Sequence, residues 1–470
     1  MVNLEQYTYN GVITFYPYKL LTVGQRKYII SKNCSAIYEI DDIMMNYLKY
    51  DNKPVEELLK DMSGNYTQEE IYEGLNELSK NYLIKTNGNT NIIESKYNIE
   101  QFGDIKINSI ILMLCQECNL RCNYCYGKNG EYNNKGRMSV DTGERAINFL
   151  FENSGDYETV NITYFGGEPL LHKNLLKHLT IYAKNMAEKN GKKAEFSITT
   201  NATLIDESMA DFFKENYFSI TISIDGDKET TNANRYFANK KGAYDNIING
   251  FRYLNRRVRV SARGTISKNG LDILKNWNHL YELSFNNVHL SHSVNMLDDD
   301  DYDVLEENYK KMIDYFFDAL EKKEMQKVKR MGNVFTLVER IHNGGMRIKN
   351  CGTLNNMLAV DIDGNLYPCH RFVSEKEMQV GNIYTGIDKR KYMDQIKSML
   401  IINNSSCFNC WAMNLCGGGC PQENYIMNGK INMPYYNVCK LMKSIYEYTI
   451  SKYLMLNDNQ RKIFETNDNK

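Results

Sequence analysis

The stretch Cys118-Asn119-Leu120-Arg121-Cys122-Asn123-Tyr124-Cys125 decides how this chain is read. Three cysteines in C-x3-C-x2-C spacing follow an apolar run, residues 107–114, that reads as a strand. Thiolates so spaced can hold three irons of a cubane cluster and leave the fourth iron without a protein ligand. An iron with a free position can chelate a small molecule, so the spacing points to catalysis rather than electron storage. The alternative is a zinc site, but zinc prefers four ligands at a different spacing. The whole chain has 12 cysteines and 6 prolines in 470 residues. In a reducing compartment, clustered cysteines serve as metal ligands more often than as disulfides.

Outward from the loop, apolar runs at residues 107–114, 159–165, 195–200, 218–224, 258–266 and 287–291 alternate with amphipathic stretches at 140–153, 175–189 and 246–256. That alternation predicts parallel βαβ units with right-handed crossovers. Six units fall short of the eight of a closed barrel, so the expectation is an α/β fold with a partial (β/α)6 barrel over 105–315. Chemistry then belongs at the carboxyl ends of the strands. Upstream, strands at 12–16, 26–31 and 35–40 precede a helix capped by Asp41 or Asp42, another opened by Pro54, and a Thr67-Gln68-Glu69-Glu70 capping box. These predict a winged-helix-like domain over 1–88, joined by a polar linker, 89–104. The acidic run Asp298–Asp303 reads as a solvated loop. A helical bridge at 316–350, a Cys- and Gly-rich domain at 351–445 and a helix with a polar tail at 446–470 complete the chain.

Composition narrows the function classes. Fifty-seven Lys and Arg against 58 Asp and Glu give a net charge of −1, so no global basic field suggests nucleic acid. No apolar run approaches the roughly 20 residues that span a bilayer, and the first ten residues lack a basic signal start. A soluble, cytoplasmic protein is expected. The 35 tyrosines are read as compositional bias.

The cysteine loop, with an aromatic residue, Tyr124, before its last cysteine, resembles the signature of radical S-adenosylmethionine (SAM) enzymes. The resemblance implies that Cys118, Cys122 and Cys125 hold a [4Fe–4S] cluster whose unique iron is chelated by SAM. In that family the reduced cluster cleaves SAM to a 5′-deoxyadenosyl radical that abstracts hydrogen from the substrate. Phe165-Gly166-Gly167-Glu168-Pro169 resembles the family's GGEP motif, which contacts the methionine amino group. Gly166 and Gly167 would let backbone approach the ligand, and Glu168 would accept from its ammonium. Thr200, Asn201, Ser223 and Arg263 match typical SAM contacts, with Arg263 suited to clamp a carboxylate. Ser223-Ile224-Asp225-Gly226 resembles a segment of peptide-acting members in which the Asp lies near substrate; a turn residue is the other reading of Asp225. Arg235 is either a SAM contact or a surface cation.

Downstream, Cys351, Cys369, Cys407, Cys410, Cys416, Cys420 and Cys439 are spaced like the SPASM extension of these enzymes. The resemblance implies two auxiliary [4Fe–4S] clusters, three clusters in all. One takes Cys407, Cys410, Cys416 and Cys439; the other takes Cys351, Cys369 and Cys420, commonly with a further Cys upstream. No cysteine lies between Cys125 and Cys351, so that cluster lacks an evident fourth ligand. The natural soft ligand for an open iron is another thiolate, here one from a substrate; Cys34 or Cys115 are the internal alternatives. His370-Arg371, after Cys369, would orient cluster or peptide.

The N-terminal domain resembles, in shape, the recognition element of ribosomal peptide maturases, which adds a leader segment as a strand beside an exposed edge, here 35–40. A packing or dimerisation domain is the alternative. Together these resemblances imply a thioether-forming peptide maturase of the ranthipeptide or sactipeptide groups, closest in character to freyrasin-type maturases. Its partners would be a Cys-containing precursor peptide with a leader and an electron donor such as flavodoxin or ferredoxin, with no nucleic acid and no membrane. The rivals are an anaerobic sulfatase maturase, a carbon–carbon crosslinking cyclase, and a non-catalytic iron–sulfur electron carrier. The last would not need Glu168, Ser223 and Arg263 at SAM-binding positions.

Overall fold

The computed structural model describes residues 4–33, 36–89, 105–345, 347, 349 and 351–465. Six strands, Ser109–Cys115, Thr159–Gly166, Lys193–Thr200, Ser219–Ser223, Val260–Ile266 and Asn287–His292, lie side by side in chain order and all run parallel. The first is buried over six of its seven residues, as expected of a parallel strand covered on both faces. Helices fill the crossovers, among them Val140–Asn153, whose Ser139 cap accepts from the Thr142 amide, and Lys173–Lys189. The predicted α/β fold with six parallel strands is thus the observed one.

Beyond the first strand the sheet continues. Met357–Val360 pairs parallel to Ser109–Cys115, and Asn365–Tyr367, Gly381–Asn382 and Gly386–Ile387 add antiparallel strands, giving a ten-stranded sheet. The Cys-rich region is therefore stitched onto the barrel edge by backbone hydrogen bonds, and buried residues from both share one apolar core. The acidic run is not a loop: Asp298 and Asp301 form a capping box and Asp299–Glu321 is helical. Carboxylates there face the positive end of the helix dipole, which favours the helix over a solvated coil.

The N-terminal unit has its own core. Its sheet is Tyr18–Val23, Arg26–Ser31 and Ile37–Ile40, antiparallel, with Arg26–Ser31 central. Val12–Phe15, expected in that sheet, instead pairs with Lys53–Pro54 and Ile84–Lys85. Ile37–Ile40 pairs only with Arg26–Ser31 among the described residues, leaving one edge open. Tyr18–Val23 packs on the C-terminal helix Tyr436–Leu454, where Lys19 pairs with Glu447 at 2.9 Å. The Thr67 capping box forms as expected and starts the helix Gln68–Lys80. Cys34, Ser35 and residues 90–104, most of the expected linker, lie outside the described residues. No helix among those described is long and apolar enough to cross a membrane.

Gly74 in Gln68–Lys80 faces the buried Tyr47 ring, whose hydroxyl donates to the Ile71 carbonyl at 2.8 Å. A Cβ there would stand 2.3 Å from the Tyr47 oxygen. Helix propensity alone would favour alanine by about 0.5–1 kcal/mol, but forcing apart a packed core costs about 1–3 kcal/mol. Gly74→Ala is expected to lower the urea midpoint, and Tyr47→Phe in the same chain to recover part of the loss.

Candidate active site

The cysteine loop leaves the carboxyl end of the first barrel strand and is held from two sides. Its segment Leu120–Cys122 pairs antiparallel with Arg235–Phe237, so that Arg235 stands opposite Cys122. The Asn123 amide also donates to the Asn234 carbonyl at 3.0 Å. Burial pushes the Cys122 thiol up to about 11 despite the opposing Arg235 guanidinium, and burial with Glu168 nearby raises Cys118 further. Such thiols stay protonated in the polypeptide alone and lose their protons to a metal centre.

On the other side lies Gly166-Gly167-Glu168. A Cβ on Gly166, whose φ is +142°, would stand 2.3 Å from the Cys115 carbonyl, and one on Gly167 would stand 2.2 Å from that of Glu117. The glycines thus admit the cysteine loop's own backbone, in addition to facing the cavity. The amides of Gly167 and Glu168 donate to those same carbonyls at 2.9 and 2.8 Å. Glu168 is buried and accepts from Thr200 Oγ1 at 2.6 Å, the Asn201 amide at 2.7 Å and the Leu170 amide at 3.0 Å. Burial raises its carboxyl to about 7 against these three bonds. Asn201 Nδ2 reaches back to Asn119 in the cysteine loop at 2.9 Å.

These groups open on a cavity of about 460 Å³ at the carboxyl ends of the strands. Cys118, Cys122, Tyr124, Cys125, Gly166, Gly167, Glu168, Thr200, Asn201, Ser223, Arg235 and Arg263 all line it. Arg263 projects into the opening and donates to Ser291 Oγ at 2.8 Å. Arg235 is buried, not a surface cation. Asp225 does not line the cavity. Its carboxylate accepts from Arg235 Nε and Nη2 at 3.0 and 3.1 Å, from the Tyr124 hydroxyl at 2.5 Å and from the Thr265 amide at 2.8 Å. Its carboxylate thus ties the cysteine loop, through Tyr124 and Arg235, to the fifth barrel strand.

The cavity wall also includes residues from the Cys-rich region. Arg371 Nη1 donates to Cys420 Sγ at 3.3 Å and Glu423 Oε1 at 2.8 Å, with its guanidinium 4.8 Å from the Tyr126 ring centre. His370 packs on Phe165, ring centres 4.3 Å apart, and burial beside Arg371 and Arg263 lowers it to about 3, so it is neutral near pH 7. Glu423, Tyr132 and His292 also line the wall and were not foreseen. The one available signal was that Glu423 lies three residues after Cys420, as Arg371 lies two after Cys369.

The remaining cysteines fall into two neighbourhoods. Burial raises Cys407 to about 12, with Cys416, Cys439 and Cys410 acting in the same direction. Burial likewise raises Cys369 to about 12, helped by Cys420 and Cys351. Among the described residues no three His, Cys, Asp or Glu side chains converge on the position of a single ion. All-sulfur donor sets suit iron–sulfur clusters or zinc, and a cubane spreads its ligand sulfurs wider than one ion does. Cys115 stands apart, buried in the barrel with its thiol 3.0 Å from the Glu168 carbonyl oxygen.

With this geometry in place, the comparisons are consistent. Residues 113–278 match the model of the Radical SAM superfamily. The chain is 25% identical over 370 residues to the cysteine-type anaerobic sulfatase-maturating enzyme of Clostridium novyi (strain NT), covering 74% of this chain and 96% of that protein. Native anSMEcpe with bound AdoMet and Cp18Cys peptide has a TM-score of 0.62 at 22% identity, covering 74% of this chain and 98% of its own. SuiB of Streptococcus suis bound to S-adenosylmethionine has a TM-score of 0.50 at 17% identity, over 91% of this chain and 100% of its own. The two structural likenesses are likenesses of fold.

Gly167→Ala would drive a methyl into backbone rather than into a pliant side chain. It is expected to displace the cysteine loop, so that the variant remains folded by circular dichroism but retains less iron per chain after reconstitution than Gly64→Ala, whose Cβ meets open space.

Proposed function

We propose that this chain is a radical SAM maturase that forms thioether crosslinks in a ribosomally made, cysteine-containing peptide. The observation that carries the reading is the pairing of a three-cysteine neighbourhood, Cys351, Cys369 and Cys420, with the cavity through Arg371. Cys115 is engaged in the barrel and Cys34 lies outside the described residues. A cluster on those three thiolates would keep a position for a soft ligand, and a substrate thiolate fits it. Cys407, Cys410, Cys416 and Cys439 would hold a second, fully ligated auxiliary cluster.

When bound and reduced, a cluster on Cys118, Cys122 and Cys125 supplies one-electron cleavage of SAM for hydrogen abstraction. The protein's part is to orient the ligands. Glu168 accepts from the ligand's ammonium, Arg263 and Ser223 receive its polar groups, and Asp225 with Arg235 and Tyr124 fixes the loop. His370 and Phe165 close the wall with a neutral surface. The open edge of Ile37–Ile40 offers a leader segment backbone hydrogen bonds. The likeness to freyrasin-type enzymes favours a β or γ carbon as acceptor over an α carbon, with flavodoxin or ferredoxin as donor.

A second reading, formylglycine formation, is supported by the match covering 96% of the Clostridium novyi enzyme. One incubation separates the two. With SAM, reductant and a precursor carrying leader and cysteines, each thioether removes two hydrogens from the peptide mass and protects one thiol from alkylation. An aldehyde trapped by a hydrazine, with no crosslink, would favour formylglycine instead. Unchanged peptide with all thiols alkylated, alongside normal 5′-deoxyadenosine release, counts against the thioether reading.

Glu168 gives a pH test of the SAM site. Because its carboxyl is raised to about 7, it is charged above that pH and neutral below it. SAM affinity, measured by equilibrium dialysis, is expected to fall as pH drops through about 7. Glu168→Gln should bind weakly and without that pH dependence.

A further inference from the structure

The N-terminal unit meets the four-cysteine region through a small separate apolar cluster in which Tyr16 packs with Ile401 and Met413 against Phe408 and Cys407. Against its Phe408 lies Lys32, the residue after the strand Arg26–Ser31, with 1% of its surface exposed. Its backbone carbonyl accepts from Asn414 Nδ2, between Cys410 and Cys416. Its ammonium lies 3.4 Å from the centre of the Phe408 ring, between Cys407 and Cys410. Burial, with Lys85 nearby, lowers it to about 8, while Cys410 acts to keep it charged.

No carboxylate pairs with Lys32 among the described residues. A buried ammonium without a counter-ion is costly, and an aromatic face compensates only in part. A lysine serving only to pack could snorkel its charge to water, yet this one is enclosed. What the polypeptide lacks here is negative charge, and four thiolates on an iron–sulfur centre bring it. Net charge and the dipoles around a cluster are among the terms that set its reduction potential.

We propose that Lys32 is a positioning residue for the centre held by Cys407, Cys410, Cys416 and Cys439, supplying from the N-terminal unit a fixed positive charge that makes that centre easier to reduce. This rests on the reading of those four cysteines as cluster ligands. It assigns the N-terminal unit a second task besides holding a leader: it completes the electrostatic surroundings of a redox centre in another domain. The added electron is stabilised by the neighbouring cation, and no bond is made or broken in the protein.

The test is a potentiometric titration of the full, reconstituted chain followed by electron paramagnetic resonance. Cys410→Ser identifies the signal of the four-cysteine centre by its loss. Lys32→Met is expected to move the midpoint of that signal to more negative potential, and Lys32→Arg to keep it near the parent value. Phe408→Leu, which removes the ring that holds the ammonium but leaves lysine in place, should shift it in the same direction by less and covers the case in which Lys32→Met does not fold. A residue with a purely structural role would alter melting temperature and leave the midpoint where it was. Unmoved midpoints in both Lys32→Met and Phe408→Leu overturn the role of Lys32 while leaving the cluster reading intact. If Cys410→Ser retains every signal and all its iron, the cluster reading fails and the inference goes with it.

Discussion

The ion pair between Asp225 and Arg235 is the constraint on which the site depends. Their side chains are 0% and 8% exposed, and the pair joins four parts of the chain. Asp225 follows the fourth barrel strand, Arg235 begins the ribbon that pairs with Cys122, Tyr124 comes from the cysteine loop, and Thr265 belongs to the fifth strand. Each carboxylate oxygen accepts two hydrogen bonds, so the buried charge is compensated. Removing one partner of such a pair typically costs about 3–5 kcal/mol, because the other charge is left stranded. The pair thus ties a three-residue ribbon and the cysteine loop to the barrel strands at fixed positions. The Gly166-Gly167 backbone presses the same loop from the opposite side, so its position is fixed twice.

Much of this site was legible because its signals are local. The C-x3-C-x2-C spacing and the Gly-Gly-Glu-Pro run each sit within a few consecutive residues and announce Cys118, Cys122, Cys125, Gly166, Gly167 and Glu168; Thr200, Asn201, Ser223 and Arg263 were reached only through the family resemblance, and Arg235 was left between two readings. Asp225 was legible as an important residue but not in its task, because a carboxylate before glycine looks the same whether it faces substrate or turns back onto Arg235. The strand Tyr18–Val23 was missed since Pro17 reads as a break and the strand alternates only weakly, with no residue fully buried. The acidic run at Asp298 was misjudged because charge density suggests solvation, whereas a capping box is decided by the spacing of two particular carboxylates.

What remained illegible is long-range. Four-residue Met357–Val360 has no periodicity to announce it, and its place is set by Ser109–Cys115 nearly 250 positions earlier in the chain, as in the Met357–Ser109 pairing. Yet that strand decides whether the Cys-rich region is a detachable module or part of the catalytic wall. Extending the barrel sheet by one parallel strand carries His370 and Arg371 to the cavity, since both follow the antiparallel return strand Asn365–Tyr367 within five residues. A cluster domain on a flexible tether could not hold Arg371 against both Cys420 and Tyr126.

The cavity that results is polarised. Glu168 turns its carboxylate over the end of the third strand, onto Thr200 and Asn201, while Arg263 rises from the fifth. Two strand spacings separate these positions, about 10 Å along the sheet. Arg263 leans toward the sixth strand, where it donates to Ser291 Oγ, so the space above the third and fourth strands stays open for a ligand. On the proposed reading, a zwitterionic ligand lies with its ammonium toward Glu168 and its carboxylate toward Arg263. Arg371 adds positive charge at the end nearest Cys420, which on the same reading would favour a substrate sulfur there as thiolate rather than thiol.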